Sequence, residues 1–197
     1  FMAGETRFPV EEFEVRICQE TAYPLDGTVR ISLEGAVGKT AAVRIPGWCR
    51  AYTLSVDGQR VDSAPQKGYV YVACTADRTT IDLVMEMPVH LVEANPLVWE
   101  NAGRAAVCRG PVVYCAEEVD NGPNLHALSV DVGKLEQAGL RYSEEIHGYV
   151  LDLDGFRDMP FDGLYAPASG RRNPQTLRLI PYYAFANREE SDMLVWM

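Results

Sequence analysis

Acidic side chains are the groups in this chain best suited to acid–base chemistry, and two adjacent pairs stand out, Glu117-Glu118 and Glu144-Glu145. Two carboxyl groups hydrolyse a sugar–oxygen bond when they face each other across a cleft, roughly 5 to 9 Å apart. Neighbouring residues of a strand point to opposite faces, so neither pair is predicted to act in this way. The sequence therefore favours a chain without an acid–base pair of its own.

Histidine and cysteine, the other reactive residue types, are not grouped for chemistry either. His90, His126 and His147 lie far apart, and no nucleophile and acid accompany any of them in the sequence. The number of cysteines is odd and none forms a Cys-x-x-Cys pair, so the sequence predicts neither a zinc site nor a disulfide framework. The cysteines are Cys18, Cys49, Cys74, Cys108 and Cys115. We expect them to be small buried hydrophobic residues, and unpaired cysteines favour a cytoplasmic location.

One short string begins like a calcium-binding loop. Asp152-Leu153-Asp154-Gly155 has the opening acidic pattern, but the twelfth position of such a loop would be Gly163 instead of glutamate. Asp-Gly is also a common hairpin dipeptide, and a turn at Asp154-Gly155 is therefore the prediction. No metal or cofactor is expected in this chain.

The charge of the chain limits its partners. The formal net charge is −10 and the isoelectric point is near 4.8, so the surface repels phosphate backbones and anionic lipids. No apolar run approaches the roughly 20 residues that a membrane-spanning helix needs. Nucleic acid and membrane are therefore excluded as expected partners, whereas neutral ligands such as sugars stay open.

Aromatic residues offer the best candidates for contacts with a partner domain or with a sugar. Trp48 follows Pro-Gly, which favours a turn at a domain face, and Tyr69, Tyr71 and Trp99 could stack against a sugar ring. Arg44 could anchor a neighbouring domain through a salt bridge. The alternative for the aromatic residues is a place in the core, and the alternative for the arginine is a solvated strand edge.

The elements that must position these side chains are strands. Alternation of apolar and polar residues recurs along the chain, with Asp-Gly or Asn-Gly turns between the runs. This pattern predicts an all-β fold of two tandem antiparallel β-sandwich domains, jelly-roll-like, over residues 1–95 and 96–197, with the boundary near Asn95-Pro96. Residues 132–140 are the best helix candidate, and residues 158–173 are predicted to form a long loop.

Several strings, taken in order, resemble a known family. They are Gln19-Glu20-Thr21-Ala22-Tyr23-Pro24-Leu25-Asp26-Gly27, Arg44-Ile45-Pro46-Gly47-Trp48-Cys49, Glu86-Met87-Pro88-Val89, Arg109-Gly110-Pro111-Val112-Val113-Tyr114-Cys115, Asp120-Asn121, Ile180-Pro181-Tyr182-Tyr183-Ala184-Phe185-Ala186-Asn187-Arg188 and Val195-Trp196. Together they resemble the C-terminal part of the β-L-arabinofuranosidase-like glycoside hydrolases, glycoside hydrolase family 127 and its relatives. This chain departs from the family pattern at residues 73–78, where it lacks the aromatic residue and the Gly-Asp that the family tends to have.

The resemblance implies a layout in which an (α/α)6 barrel carries the chemistry and two β-sandwich domains follow it. The barrel would supply a cysteine nucleophile from a Cys-Cys pair and a zinc ion, and no cysteine of this chain matches that motif. The resemblance therefore implies a non-catalytic accessory region that packs on and stabilises an N-terminal catalytic barrel of the same polypeptide. A stand-alone carbohydrate-binding module and a homodimerisation module are the open alternatives.

Overall fold

The computed structural model describes residues 1–10 and 13–197, and the chain divides into two compact units, Phe1–Met87 and Pro88–Met197. The all-β prediction is confirmed, since most regular elements are strands and the paired strands run antiparallel. The boundary lies before the predicted Asn95 because the strand Val89–Glu93 pairs with Ala105–Arg109 and so belongs to the second unit. Among the described residues, no helix is long and apolar enough to cross a membrane.

The described residues of the first unit form eight strands in two sheets. They are β1 Gly4–Val10, β2 Phe13–Thr21, β3 Thr28–Glu34, β4 Thr40–Arg44, β5 Tyr52–Val56, β6 Gln59–Arg60, β7 Tyr69–Ala73 and β8 Arg78–Met85. Six of them form a sheet in the order β1-β2-β3-β8-β5-β6, and β4 pairs with β7 in a second, two-stranded sheet.

The core of the first unit explains why these residues form strands. In β8 every second residue is buried, including Ile81 and Leu83, and β7 buries Val70 and Val72 while it exposes its tyrosines. Side chains of both sheets join in one buried cluster. The two-stranded sheet therefore covers the six-stranded one as the second layer of a sandwich.

The second unit contains the remaining strands. They are β9 Val89–Glu93, β10 Ala105–Arg109, β11 Val112–Glu117, β12 Leu128–Val130, β13 Gly139–Ser143, β14 Gly148–Asp158, β15 Arg172–Pro181 and β16 Met193–Leu194. They form one sheet in the order β12-β14-β15-β11-β10-β9, with β13 beside β14 and β16 beside β11. A one-turn helix, α1 Glu118–Asn121, follows β11.

This eight-stranded sheet curls on itself. Its two ends, β9 and β12, stand at opposite limits of the strand order, yet residues of both line one cavity. A sheet whose edges approach in this way encloses a core between its own strands. Leu151, Leu153, Leu177 and Leu179 of the central pair β14 and β15 fill that core.

Two local predictions differ from the structure. Asp154-Gly155 is not a hairpin turn but lies inside β14, where Gly155 pairs with Gln175 of β15. A side chain at position 155 would collide with the backbone oxygen of Ser129, which explains glycine in a strand interior. Of the predicted helix at 132–140, only the 3-10 helix Val132–Gln137 forms.

Candidate functional site

The outer face of the two-stranded sheet brings three of the predicted contact residues together. Tyr69 and Tyr71 point outward from β7, with 37% and 52% of their surfaces exposed, and Arg44 stands opposite Tyr69 on β4. The guanidinium of Arg44 lies 5.1 Å from the centre of the Tyr69 ring and donates to the backbone oxygen of Gly68 at 3.2 Å. A cation held over an aromatic face is attracted to it, so the three side chains form one ordered, amphipathic surface.

Trp48 lies in the same unit but in a different setting. Its indole is half-buried, packs against the core of the first unit and stacks on Tyr23, with ring centres 6.3 Å apart and an interplanar angle of 17°. Phe1 meets the other side of this pair, edge-on to Tyr23. Most of the indole is therefore engaged within the unit, and only its remaining exposed part is open to a partner.

Trp99 belongs to the second unit. It begins the 3-10 helix Trp99–Asn101 in the connection between β9 and β10, and 76% of its surface is exposed. An indole so exposed has lost little water on folding, and its apolar rings are available to a ligand or to another surface.

Among the described residues, the most deeply buried acidic group belongs to an ion cluster that the sequence analysis did not identify. Glu117, at the end of β11, is 1% exposed and accepts hydrogen bonds from the guanidinium of Arg188 and from the backbone N–H of Ala186. The same guanidinium donates to both carboxylate oxygens of Asp120. The two carboxylates raise the pKa of Arg188 above its ordinary value. The carboxylate of Glu117 is therefore buried and paired with Arg188, away from any surface where a substrate could contact it.

Hydrogen bonds next to this ion cluster hold the one-turn helix α1 against the sheet. The side-chain amide of Asn121 donates to the backbone oxygens of Glu117 and Arg178 and accepts from the N–H of Arg178. It therefore pairs with the edge of β15 at Arg178 as a neighbouring strand would. Arg157 donates to the backbone oxygen of Asn121. Two strings that carried the family resemblance, 120–121 and 180–188, therefore meet in space.

The other reactive groups stay apart. Glu144 and Glu145 lie in the turn between β13 and β14, away from any strand. Among residues 1–10 and 13–197, no three histidine, cysteine or acidic side chains gather where they could hold a metal ion. Within the same residues all five cysteines are free, with Cys74, Cys108 and Cys115 buried as expected and Cys18 and Cys49 half-buried.

Burial of a thiol and a phenol makes the second unit sensitive to high pH. Burial raises the pKa of Cys115 and the pKa of Tyr114 to about 12 each. A group whose pKa is raised by folding contributes stability that is fully present below its ordinary pKa. That contribution is lost as the pH rises toward the folded-state pKa of about 12. We therefore expect the free energy of unfolding of the second unit to fall above about pH 9, by up to about 1.4 kcal/mol per pH unit for each group.

Urea unfolding at a series of pH values, followed by Trp196 fluorescence, measures this dependence. The Cys115→Ala variant should show a shallower decline than the parent chain, whereas Cys18→Ala in the first unit should leave the decline unchanged. An unfolding free energy that stays constant between about pH 8 and about pH 11 would contradict the expectation.

Comparison with known families matches the division into two units. A family model described as "Beta-L-arabinofuranosidase, GH127 middle domain" matches residues 1–87, and one described as "Glycoside hydrolase family 127 C-terminal domain" matches residues 89–197. The two matches together cover almost the whole chain and meet where the first unit ends.

Individual relatives agree with the family models. The non-reducing end beta-L-arabinofuranosidase of Bifidobacterium longum subsp. longum is 37% identical over 193 residues, which cover 90% of this chain and 29% of the relative. The crystal structure of a GH127 beta-L-arabinofuranosidase from Geobacillus stearothermophilus T6 is 37% identical, with a TM-score of 0.87, over 98% of this chain and 32% of that one. A further solved structure, a GH127 beta-arabinofuranosidase, is 31% identical with a TM-score of 0.82, and this chain covers 33% of its length. The chain thus spans about a third of the length of these relatives.

Proposed function

Because the chain belongs to glycoside hydrolase family 127, we propose that it is the accessory part of a β-L-arabinofuranosidase-like enzyme. Its two units pack on a helical catalytic barrel of the same polypeptide and stabilise it, and the barrel carries the zinc and the nucleophile. The complete enzyme releases L-arabinofuranose from its substrate. The matches to the middle and C-terminal domains of much longer enzymes support this proposal.

The observation that carries the docking part of the proposal is the outer face of β4 and β7. That sheet buries Val43, Val70 and Val72 on one side, so its outer side needs no aromatic residues for the stability of the unit. It nevertheless exposes Tyr69 and Tyr71. Tyrosine and arginine are enriched where proteins meet, since they combine a large apolar area with a polar end.

The test compares the 197-residue chain with a longer polypeptide in which the same chain follows its catalytic barrel. We expect only the longer polypeptide to hydrolyse aryl L-arabinofuranosides. Tyr71→Ser should destabilise the longer polypeptide by about 1–2 kcal/mol, as for a residue inside an interface, measured as a lower melting temperature of the catalytic activity. The same substitution should change the stability of the isolated chain by less than about 0.5 kcal/mol, because Tyr71 is exposed there.

Val84→Ser is the matched control, since Val84 is also exposed in the first unit but stands on the outer face of the six-stranded sheet. Equal effects of Tyr71→Ser and Val84→Ser on the longer polypeptide would contradict docking through β4 and β7. Hydrolysis by the 197-residue chain alone would overturn the accessory function itself.

The exposed tyrosine pair also favours a second candidate, a carbohydrate-binding module. In that case the isolated chain would bind a sugar, and Tyr71→Ser would abolish the binding without changing the stability of the longer polypeptide. A dimerisation module would instead make the isolated chain sediment as a dimer, and Tyr71→Ser would return it to a monomer.

A further inference from the structure

The second unit contains a cavity of about 520 Å³ where the two edges of its curled sheet approach each other. Leu91 and Glu93 of β9 line one side, Ser129 and Val130 of β12 line the other, and the connection 94–104 closes the end. Pockets that hold small molecules have volumes of roughly 300–1,000 Å³. The cavity is therefore large enough for a monosaccharide.

Charged and amide groups at the cavity are free to bind a ligand. Within residues 1–10 and 13–197, neither the carboxylate of Glu93 nor the guanidinium of Arg104 has a hydrogen-bond or ion-pair partner. The oxygen of the Asn95 side chain accepts from the N–H of Leu97 at 2.9 Å, which leaves its NH2 group available. The cavity thus offers acceptors at Glu93 and donors at Arg104 and Asn95.

The hydroxyl of Ser129 lies behind the wall of the cavity. Its oxygen is buried and has no hydrogen-bond partner among the described residues, although the residue lines the cavity. A buried polar group without a partner costs about 1–3 kcal/mol. Because less than 1 Å² of this oxygen is accessible, a ligand in the cavity does not reach it, and the exposed groups of Glu93, Asn95 and Arg104 are the ones that can bind a ligand.

The remaining wall is apolar, and a sugar matches this combination. Leu91, Pro96, Val130 and Met197 supply an apolar surface, and the C–H faces of a sugar ring pack against such surfaces. Each sugar hydroxyl both donates and accepts, so it can bond Arg104 and Glu93 together. The 3-10 helix Trp99–Asn101 contributes Asn101 to the wall, whereas the exposed Trp99 does not line the cavity.

Charge decides which sugars fit. Glu93 repels an anionic sugar and Arg104 repels a cationic one, and the net charge of −10 further disfavours polyanions. We propose that this cavity binds a neutral monosaccharide unit, either free or at the end of an oligosaccharide. The site lies within the second unit and does not depend on the docking proposal, which concerns β4 and β7 of the first unit.

The experiment titrates the ¹⁵N-labelled 197-residue chain with L-arabinose, D-xylose and D-galactose, and separately with an arabino-oligosaccharide, up to about 100 mM. That limit lies well above the millimolar dissociation constants expected for a ligand with few atoms. We expect saturable shifts of the amide signals of 91–105 and 128–132 with at least one of these probes. A stronger response to the oligosaccharide would show that the ligand is the terminal sugar of an oligosaccharide. A stronger response to a monosaccharide would show that the ligand is the free sugar.

Variants locate the binding. Arg104→Ala and Glu93→Ala should each weaken it about tenfold, the loss expected for one good hydrogen bond. Arg141→Ala removes an exposed arginine of β13 that does not line the cavity, and it should leave the affinity unchanged.

Three results would overturn the proposal. The first is the absence of saturable shifts with every probe. The second is binding that Arg104→Ala and Glu93→Ala leave intact, which would place the sugar elsewhere on the chain, for instance at Tyr71. The third is preferential binding of citrate or sulfate, which would make the cavity an anion site. None of these results bears on the melting-temperature test of the barrel interface, so failure of one proposal does not hide failure of the other.

Discussion

Replacing Arg188 by alanine should lower the free energy of unfolding of the second unit by about 3–5 kcal/mol, the range observed when one partner of a buried ion pair is removed. The side chain of Arg188 is 14% exposed and bonds Glu117 and Asp120, whose side chains are 1% and 10% exposed. Without the guanidinium, the carboxylate of Glu117 is left buried with only the N–H of Ala186 to stabilise its charge. Urea unfolding followed by Trp196 fluorescence measures the loss.

Two further variants separate this cause from a simple loss of packing. The double variant Arg188→Ala, Glu117→Gln removes the uncompensated charge as well, and it should regain part of the stability, because glutamine can still accept from Ala186. Lys134→Ala breaks an exposed pair with Asp154, 2.8 Å apart, and should cost less than about 1 kcal/mol. A loss in Arg188→Ala as small as that in Lys134→Ala would show that the cluster contributes little to stability.

The cluster also shows where sequence reasoning ends. Glu117 and Arg188 are 71 residues apart, and they meet because β11 lies between β15 and β16 in the curled sheet. Strand order of this kind depends on long-range pairing, and no local pattern of residue types encodes it. The resemblance did mark 120–121 and 180–188 separately, but it gave no reason to bring them together.

Local patterns predicted the strands well wherever one face is buried and the other exposed. Tyr69 and Tyr71 are two residues apart and therefore lie on one face of a strand, and β7 does expose both while it buries Val70 and Val72. The alternation is strict there because a shift by one residue would place both valines in water. The face that the tyrosines present was therefore predictable, whereas the partner that covers it was not.

The turn predicted at Asp154-Gly155 fails for a physical reason. A glycine is required both where φ is positive and where another backbone approaches closely, and the dipeptide alone does not distinguish the two cases. Gly58 is of the first kind, with φ of +78° in the turn between β5 and β6. Gly155 is of the second kind, inside a strand. The cavity escaped prediction likewise, because its walls come from strands that are distant in the sequence.

Replacing Gly27 by alanine should destabilise the first unit by at least about 3 kcal/mol, at the upper end for overpacking because the collision is with backbone. Gly27 is buried between β2 and β3, and an added Cβ would lie 2.0 Å from the backbone oxygen of Met85. The backbone oxygen of Gly27 also accepts the N–H of Met85 at 2.9 Å, so the two segments cannot separate without losing that bond. Unfolding followed by the fluorescence of Trp48, with Trp99 and Trp196 replaced by phenylalanine, reports on this unit.

Gly47→Ala is the control, since no heavy atom lies within 4 Å of a Cβ at that position and its φ is not positive. It should change the unfolding free energy by no more than about 0.5 kcal/mol. Similar stability of the two alanine variants would mean that the end of β8 can move away from the turn, and that Asp26-Gly27 serves there as an ordinary turn. A large fall in the unfolding free energy of Gly27→Ala, but not of Gly47→Ala, would establish the close approach of the backbone as the reason for glycine at position 27.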